Sequence, residues 1–152
     1  MPKRPVHIAK NEKDTALIAK LFLGEILKQK KRTKEALIVA LSGDLGAGKT
    51  TFVKAVAKHL GIKNKISSPT FVIMKKYPLK KIDGYKFLFH LDAYRLKNEK
   101  ELMHLGWGEI IKNKEHLIFI EWPENVKKAI PSHSKLIHNS NDLSEERHFR
   151  LK

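Results

Sequence analysis

Eight consecutive residues, Gly43-Asp44-Leu45-Gly46-Ala47-Gly48-Lys49-Thr50, satisfy every specified position of G-x-x-x-x-G-K-[ST]. The residue types explain the chemistry. Glycines let the backbone curl so that successive N–H groups face a phosphate, and a helix starting near Lys49 adds its positive dipole end. Lys49 is expected to reach the β- and γ-phosphates, and Thr50 to offer its hydroxyl to Mg²⁺. A glycine-rich turn that only joins strand to helix would not need all four constrained positions.

A phosphate site of this kind needs a carboxylate near the metal, commonly at the carboxyl end of a neighbouring strand. Two segments supply one: Phe87-Leu-Phe-His-Leu-Asp92 and Leu117-Ile-Phe-Ile-Glu121. One acid would approach Mg²⁺ while the other orients the attacking water, and the sequence does not apportion these roles. Ser67-Ser-Pro-Thr-Phe71 offers hydroxyls where a γ-phosphate-sensing loop would lie, although Ser-Pro-Thr is also an ordinary way to start a strand after a turn. His90, Tyr94 and Arg95 flank Asp92. Trp107 and Trp122 read as packing residues, and the remaining histidines lack metal-ligand spacing.

These groups must be held by buried strands and covering helices. Val6 to Ala9 reads as a short strand. Asn11 or Asp14 then caps a helix whose apolar positions are Leu17, Ile18, Leu21, Phe22 and Ile26. Ala36 to Leu41 is a continuous apolar run typical of a strand buried on both faces, and it leads directly into Gly43. From Lys49 to Leu60 the residues Phe52, Val53, Val56, Ala57 and Leu60 line one helical face, with Gly61 placed to end it. Thr70 to Met74 and Lys86 to Leu91 read as strands of a hairpin around Pro78, Asp83 and Gly84. Glu99 to Leu105 reads as a short helix and Leu117 to Ile120 as a buried strand. Pro123 suits the first turn of the next helix, and the tail from Lys135 to Lys152 holds two weakly alternating strands. The pattern is α/β: a single domain over residues 1–152, with a mixed central sheet flanked by helices.

Composition narrows the setting. The chain has 152 residues, 31 Lys plus Arg against 16 Asp plus Glu, a net charge of +15 and no cysteine. Disulfide scaffolds, thiol nucleophiles and cysteine-based metal sites are thereby excluded. No apolar run approaches the roughly 20 residues of a membrane span, and Met1 to Lys10 lacks the apolar core of a secretory signal, so a soluble cytoplasmic protein without membrane partners is expected. The charge comes mainly from 26 lysines. It would favour nucleic acid or acidic proteins electrostatically, and a lysine-rich genome would produce the same count.

The set Gly43 to Thr51, Ser67-Ser-Pro-Thr-Phe71, His90-Leu-Asp-Ala-Tyr-Arg95 and Ile120-Glu-Trp-Pro-Glu124 resembles one family in order and spacing over nearly the whole chain. That family is TsaE (formerly YjeE), the small bacterial P-loop ATPases of tRNA threonylcarbamoyladenosine modification. The glycine loop alone is generic; the H-x-D-x-Y-R and I-E-W-x-E segments together are specific. The resemblance implies a P-loop fold, Mg²⁺-dependent hydrolysis of ATP to ADP, and a complex with TsaB and TsaD, which transfer threonylcarbamoyl to adenosine 37 of tRNAs reading ANN codons. By motif, Gly43 to Thr51 would hold the phosphates and Thr50 would ligate Mg²⁺. Asp92 and Glu121 would be the acidic pair, with Thr70 in the switch-like loop. Thr15 and Trp122 would lie near the base or ribose, and Arg147 would be a further nucleotide contact. One departure occurs: Leu105-Gly-Trp-Gly-Glu109 is followed by Ile110 where the family usually has an aromatic residue.

Two other readings compete. A small P-loop kinase needs an acceptor site and an arginine-bearing lid, yet after Glu121 only Arg147 and Arg150 supply arginine. A nucleotide-gated scaffold would instead bind tRNA through Lys75, Lys76, Lys80, Lys81 and Lys86. Self-association is compatible with all three.

Overall fold

The computed structural model describes residues 5–29, 34–44, 48–63, 66–67, 69, 72–141 and 146–152. Leu45, Gly46, Ala47, Ser68, Thr70 and Phe71 lie outside the described residues. The strand before the glycine loop, β2 (Leu37–Gly43), is flanked by β5 (His116–Glu121) and β6 (Lys135–Asn141), both parallel to it. Outside β5 come β4 (Tyr85–Asp92), parallel to β5, and β3 (Met74–Ile82), antiparallel to β4. Outside β6 come β7 (Arg147–Leu151) and β1 (His7–Ala9), each antiparallel to its neighbour. The mixed seven-stranded order is β1-β7-β6-β2-β5-β4-β3. All six residues of β5 are buried, as a central parallel strand covered on both faces requires.

Side chains alternate across the sheet and build two cores. On one face Val39, Leu41, Leu88, Leu117 and Phe119 meet α1 (Glu12–Gln29) and α2 (Lys49–His59). There Phe52 stacks on Phe149 with ring centroids 5.4 Å apart. On the other face Ile38, Phe89, Leu91, Ile118 and Ile120 meet α3 (Glu99–His104), α4 (Trp107–Ile110) and a 3₁₀ helix, Pro123–Ala129. Trp107 is a packing residue here, wholly buried, with its indole Nε1 donating to the Ala129 carbonyl at 2.9 Å. Among the described residues no helix is long and apolar enough to cross a membrane.

Three local expectations change. The first helix is capped by Asn11, whose Oδ1 accepts from the Asp14 N–H at 2.9 Å. It buries Ile18, Ala19, Phe22, Leu23 and Ile26, however, and leaves Leu17 62% and Leu21 46% exposed. Two overlapping apolar arcs exist on this helix, and periodicity alone does not choose between them. The small Ala19 lets the helix approach its neighbours on the second arc. The described strand before the hairpin begins at Met74, because Val72 and Ile73 form a turn whose N–H groups both donate to the Pro69 carbonyl. Pro78 lies within β3 and not in the turn, a position an edge strand tolerates. The turn itself is Asp83-Gly84 alone, both at positive φ, the two-residue connection that matches strand twist.

Candidate active site

The glycine loop starts where β2 ends. Gly43 sits at φ +136°, and a Cβ there would lie 1.7 Å from the carbonyl oxygen of Asn139 on β6, so only glycine fits. Gly48, at φ +95°, precedes α2, and a Cβ on it would meet Arg147 Cδ at 2.9 Å and Nη1 at 3.0 Å. The last strand thus lays an arginine against the glycine loop.

Lys49 opens α2 but is folded back. Its Nζ donates to the carbonyls of Gly43 and Asp44, both at 2.8 Å, and lies 4.2 Å above the Trp122 ring. Burial lowers its pKa below the ordinary lysine value, while Glu121, Glu124, Asp44 and Asp92 oppose that shift. Carbonyl oxygens and carboxylates replace water around this cation and hold it beside the glycine loop, where an incoming phosphate would exchange for the two carbonyls.

Parallel register brings the two acids to the same edge. Leu41 pairs with Glu121, and Glu121 pairs with Asp92. Neighbouring strands are about 4.8 Å apart, so Glu121 stands one spacing from β2 and Asp92 two. Consistent with that order, the Thr50 hydroxyl donates to Glu121 Oε1 at 2.9 Å and contacts Oε2 at 3.1 Å. Asp92 Oδ1 accepts from the Tyr94 backbone N–H at 2.9 Å. Asn125 donates to the carbonyls of Ala93 and Tyr94, tying the segment after Asp92 to the segment after Glu121.

Strained backbone lies beside both acidic strand ends. The Asp92 N–H donates to the carbonyl of Ile73, which has φ +69°, and Glu121 is followed by Trp122 at φ +60°. For bulky or β-branched residues such values are outliers that a surrounding structure must enforce. The Trp122 ring is held between Lys49 and Tyr94, whose ring centroid is 5.1 Å away.

The donor set fits Mg²⁺. A threonine hydroxyl has one proton, and in Thr50 it points to Glu121, leaving the oxygen lone pairs for a cation. Among the described residues no cluster of three His, Cys, Asp or Glu could hold a metal. A hard ion that binds through one or two carboxylates, with substrate phosphates and water completing its shell, does not need one.

The structure therefore gathers Gly43, Asp44, Gly48, Lys49, Thr50, Asp92, Glu121, Trp122 and Arg147, with Thr51 following in the first turn of α2. Leu45, Gly46, Ala47 and Thr70 lie outside the described residues. Thr15 is elsewhere: it is fully buried, its hydroxyl contacts the Asn11 carbonyl, and the adjacent Ala16 carbonyl meets His59 at the far end of α2. Two participants carried no assigned role from sequence. Asn139 backs Gly43 from a weakly alternating strand that gives no local signal. His90, whose place beside Asp92 was the available clue, contacts Glu121 through Nε2 at 2.6 Å.

The family model described as "Threonylcarbamoyl adenosine biosynthesis protein TsaE" matches residues 9–149. The chain belongs to the TsaE family. A TsaE of Rickettsia prowazekii, named as a tRNA threonylcarbamoyladenosine biosynthesis protein, is 38% identical over 126 residues, covering 82% of this chain and 78% of that protein. A TsaE of Bacillus subtilis is 37% identical over 121 residues, covering 80% and 68% respectively. The crystal structure of Bacillus subtilis YdiB superposes with a TM-score of 0.72 at 30% identity, covering 99% of this chain and 86% of that one. The matched TsaE span contains the glycine loop, both carboxylates and Arg147.

Proposed function

We propose that this chain hydrolyses Mg-ATP to ADP and phosphate in support of the TsaB–TsaD complex, which installs threonylcarbamoyl on adenosine 37 of ANN-decoding tRNAs. The observation that carries the reading is the Thr50–Glu121 hydrogen bond beside Lys49: it joins the glycine-loop helix to a carboxylate 71 positions away, as phosphate chemistry requires. The names of the relatives place them in the modification pathway.

In this reading the backbone N–H groups of the glycine loop and Lys49 take up the phosphates, Lys49 turning from the Gly43 and Asp44 carbonyls. Thr50 and Glu121 would hold Mg²⁺, which when bound would neutralise charge on the phosphate oxygens. Asp92, one strand further out, orients the attacking water. Trp122 and Arg147 flank the nucleotide. With no arginine cluster among the described residues to stabilise the transition state, hydrolysis is slow alone and faster when partners order the loops.

The test is inorganic phosphate release from Mg-ATP by the purified chain, alone and with TsaB–TsaD, beside Lys49→Ala and Glu121→Ala. Partner-stimulated release lost in both variants is the expected result. Tight ATP binding without release under any condition would overturn hydrolysis in favour of a nucleotide-gated scaffold. Phosphate appearing on a small acceptor would mark a kinase.

A further inference from the structure

Along β4 the side chains facing the α1–α2 core are Leu88, His90 and Asp92. An apolar residue at position 90 would extend that core without any desolvation cost. The chain instead buries an imidazole completely, and its Nδ1 has no hydrogen-bond partner among the described residues. A buried polar atom left unsatisfied calls for a compensating contact or a role. The contact is at the other nitrogen: Nε2 lies 2.6 Å from Glu121 Oε2, with side-chain exposures of 0% and 3%. A carboxylate oxygen accepts, so in this contact Nε2 is the donor and Oε2 the acceptor.

We propose that His90 is a positioning residue for Glu121, clamping the carboxylate so that Thr50 and Glu121 together present their oxygens to a divalent cation. The role rests on the hydrolysis reading, but its first consequence is metal binding. Glu121 has three side-chain dihedrals and stands at the end of a strand. Thr50, on α2, approaches both of its oxygens, and His90, on β4, holds Oε2 alone. Two independent elements therefore fix one carboxylate. Thr50 is also the expected metal ligand, which leaves His90 as the partner whose only observed task is orientation. Groups that orient a metal-binding carboxylate typically matter by about 10–100-fold in affinity or activity.

The experiment compares wild type with His90→Phe, His90→Gln and His90→Asn. A glutamine amide nitrogen reaches the position of Nε2, whereas an asparagine amide reaches only that of Nδ1. Binding of ADP is measured with and without Mg²⁺, and kcat and KM for ATP are measured with TsaB–TsaD present. We expect His90→Phe to leave Mg²⁺-free ADP affinity within about 2-fold and to lower both the Mg²⁺-dependent gain in affinity and kcat by about 10-fold or more. His90→Gln should restore both, and His90→Asn should not. Thermal melting identifies any variant that fails to fold, and the Gln–Asn pair keeps the comparison between polar side chains.

An unchanged Mg²⁺-dependent gain in His90→Phe overturns the proposal, as does equal behaviour of Gln and Asn. If His90 governs the Mg²⁺ gain while wild type releases no phosphate, positioning stands and hydrolysis falls. If wild type hydrolyses ATP, Glu121→Gln abolishes it and His90→Phe matches wild type, hydrolysis stands and positioning falls.

Discussion

Lysines occupy two contrasting regions. On the β3–β4 hairpin Lys76 lies 4.0 Å above the Phe87 ring, and Lys86 pairs with Glu115 at 2.8 Å with its side chain 49% exposed. Water solvates these charges, Lys76 blunts the edge strand β3, and an exposed pair such as Lys86–Glu115 is worth about 0–1 kcal/mol. At the carboxyl end of β2, Lys49 is 5% exposed and two backbone carbonyls have taken the place of water. The same ammonium group is a solvated surface charge in one place and a buried charge held by the backbone of the glycine loop in the other. Positive-φ residues divide the same way. Asp83 adopts that conformation in a two-residue turn with glycine beside it, whereas Ile73 and Trp122 are bulky residues held there next to the acids. The hairpin follows ordinary turn chemistry, and the site violates it.

The largest test of this contrast is Lys49→Ala, expected to reduce partner-stimulated phosphate release by about 10²–10³-fold, as loss of one preorganised charge donor typically does. The same variant should lose the rise in thermal midpoint that ATP confers on the wild type. Lys80→Ala on the hairpin should stay within about 2-fold in release, since exposed charges contribute little locally. Equal effects of the two would dissolve the distinction.

Next comes Gly43→Ala. With Asn139 backbone 1.7 Å from the added carbon, unfolding free energy should drop by about 3 kcal/mol, measured by chemical denaturation. A smaller loss follows from Asp83→Val, which forces a β-branched residue into the left-handed region at a cost of about 1–2 kcal/mol while leaving nucleotide affinity unchanged. A drop in affinity there would show that the hairpin turn and the site are coupled.

The smallest effect separates the regions by pH. Burial, and then Asp83, raise the Tyr85 phenol pKa above its ordinary value. Its contribution to stability is therefore complete below about pH 10 and is lost as pH rises through the higher folded value. Tyr85→Phe should flatten the alkaline fall in stability above pH 10, followed by denaturant titration. Lys49 has the opposite sign: its pKa is lowered, so below the ordinary lysine value it makes stability rise with pH, and Lys49→Ala should remove that slope.

Local chemistry was legible in the residues alone: the eight-residue glycine motif, the buried strand that feeds it, and the helix face of Phe52, Val53, Val56 and Ala57. Each depends on backbone conformations or periodicities confined to a few neighbours. That Glu121 and not Asp92 meets Thr50 follows from the strand order, in which β5 lies between β2 and β4. The same order brings Arg147 and Asn139 onto the glycine loop, through β7 and β6 on the other side. The fully buried His90 and the exposed Leu17 and Leu21 belong to the same class. Strand order and the choice between overlapping apolar arcs depend on partners tens of residues away, and no local pattern encodes which partner arrives.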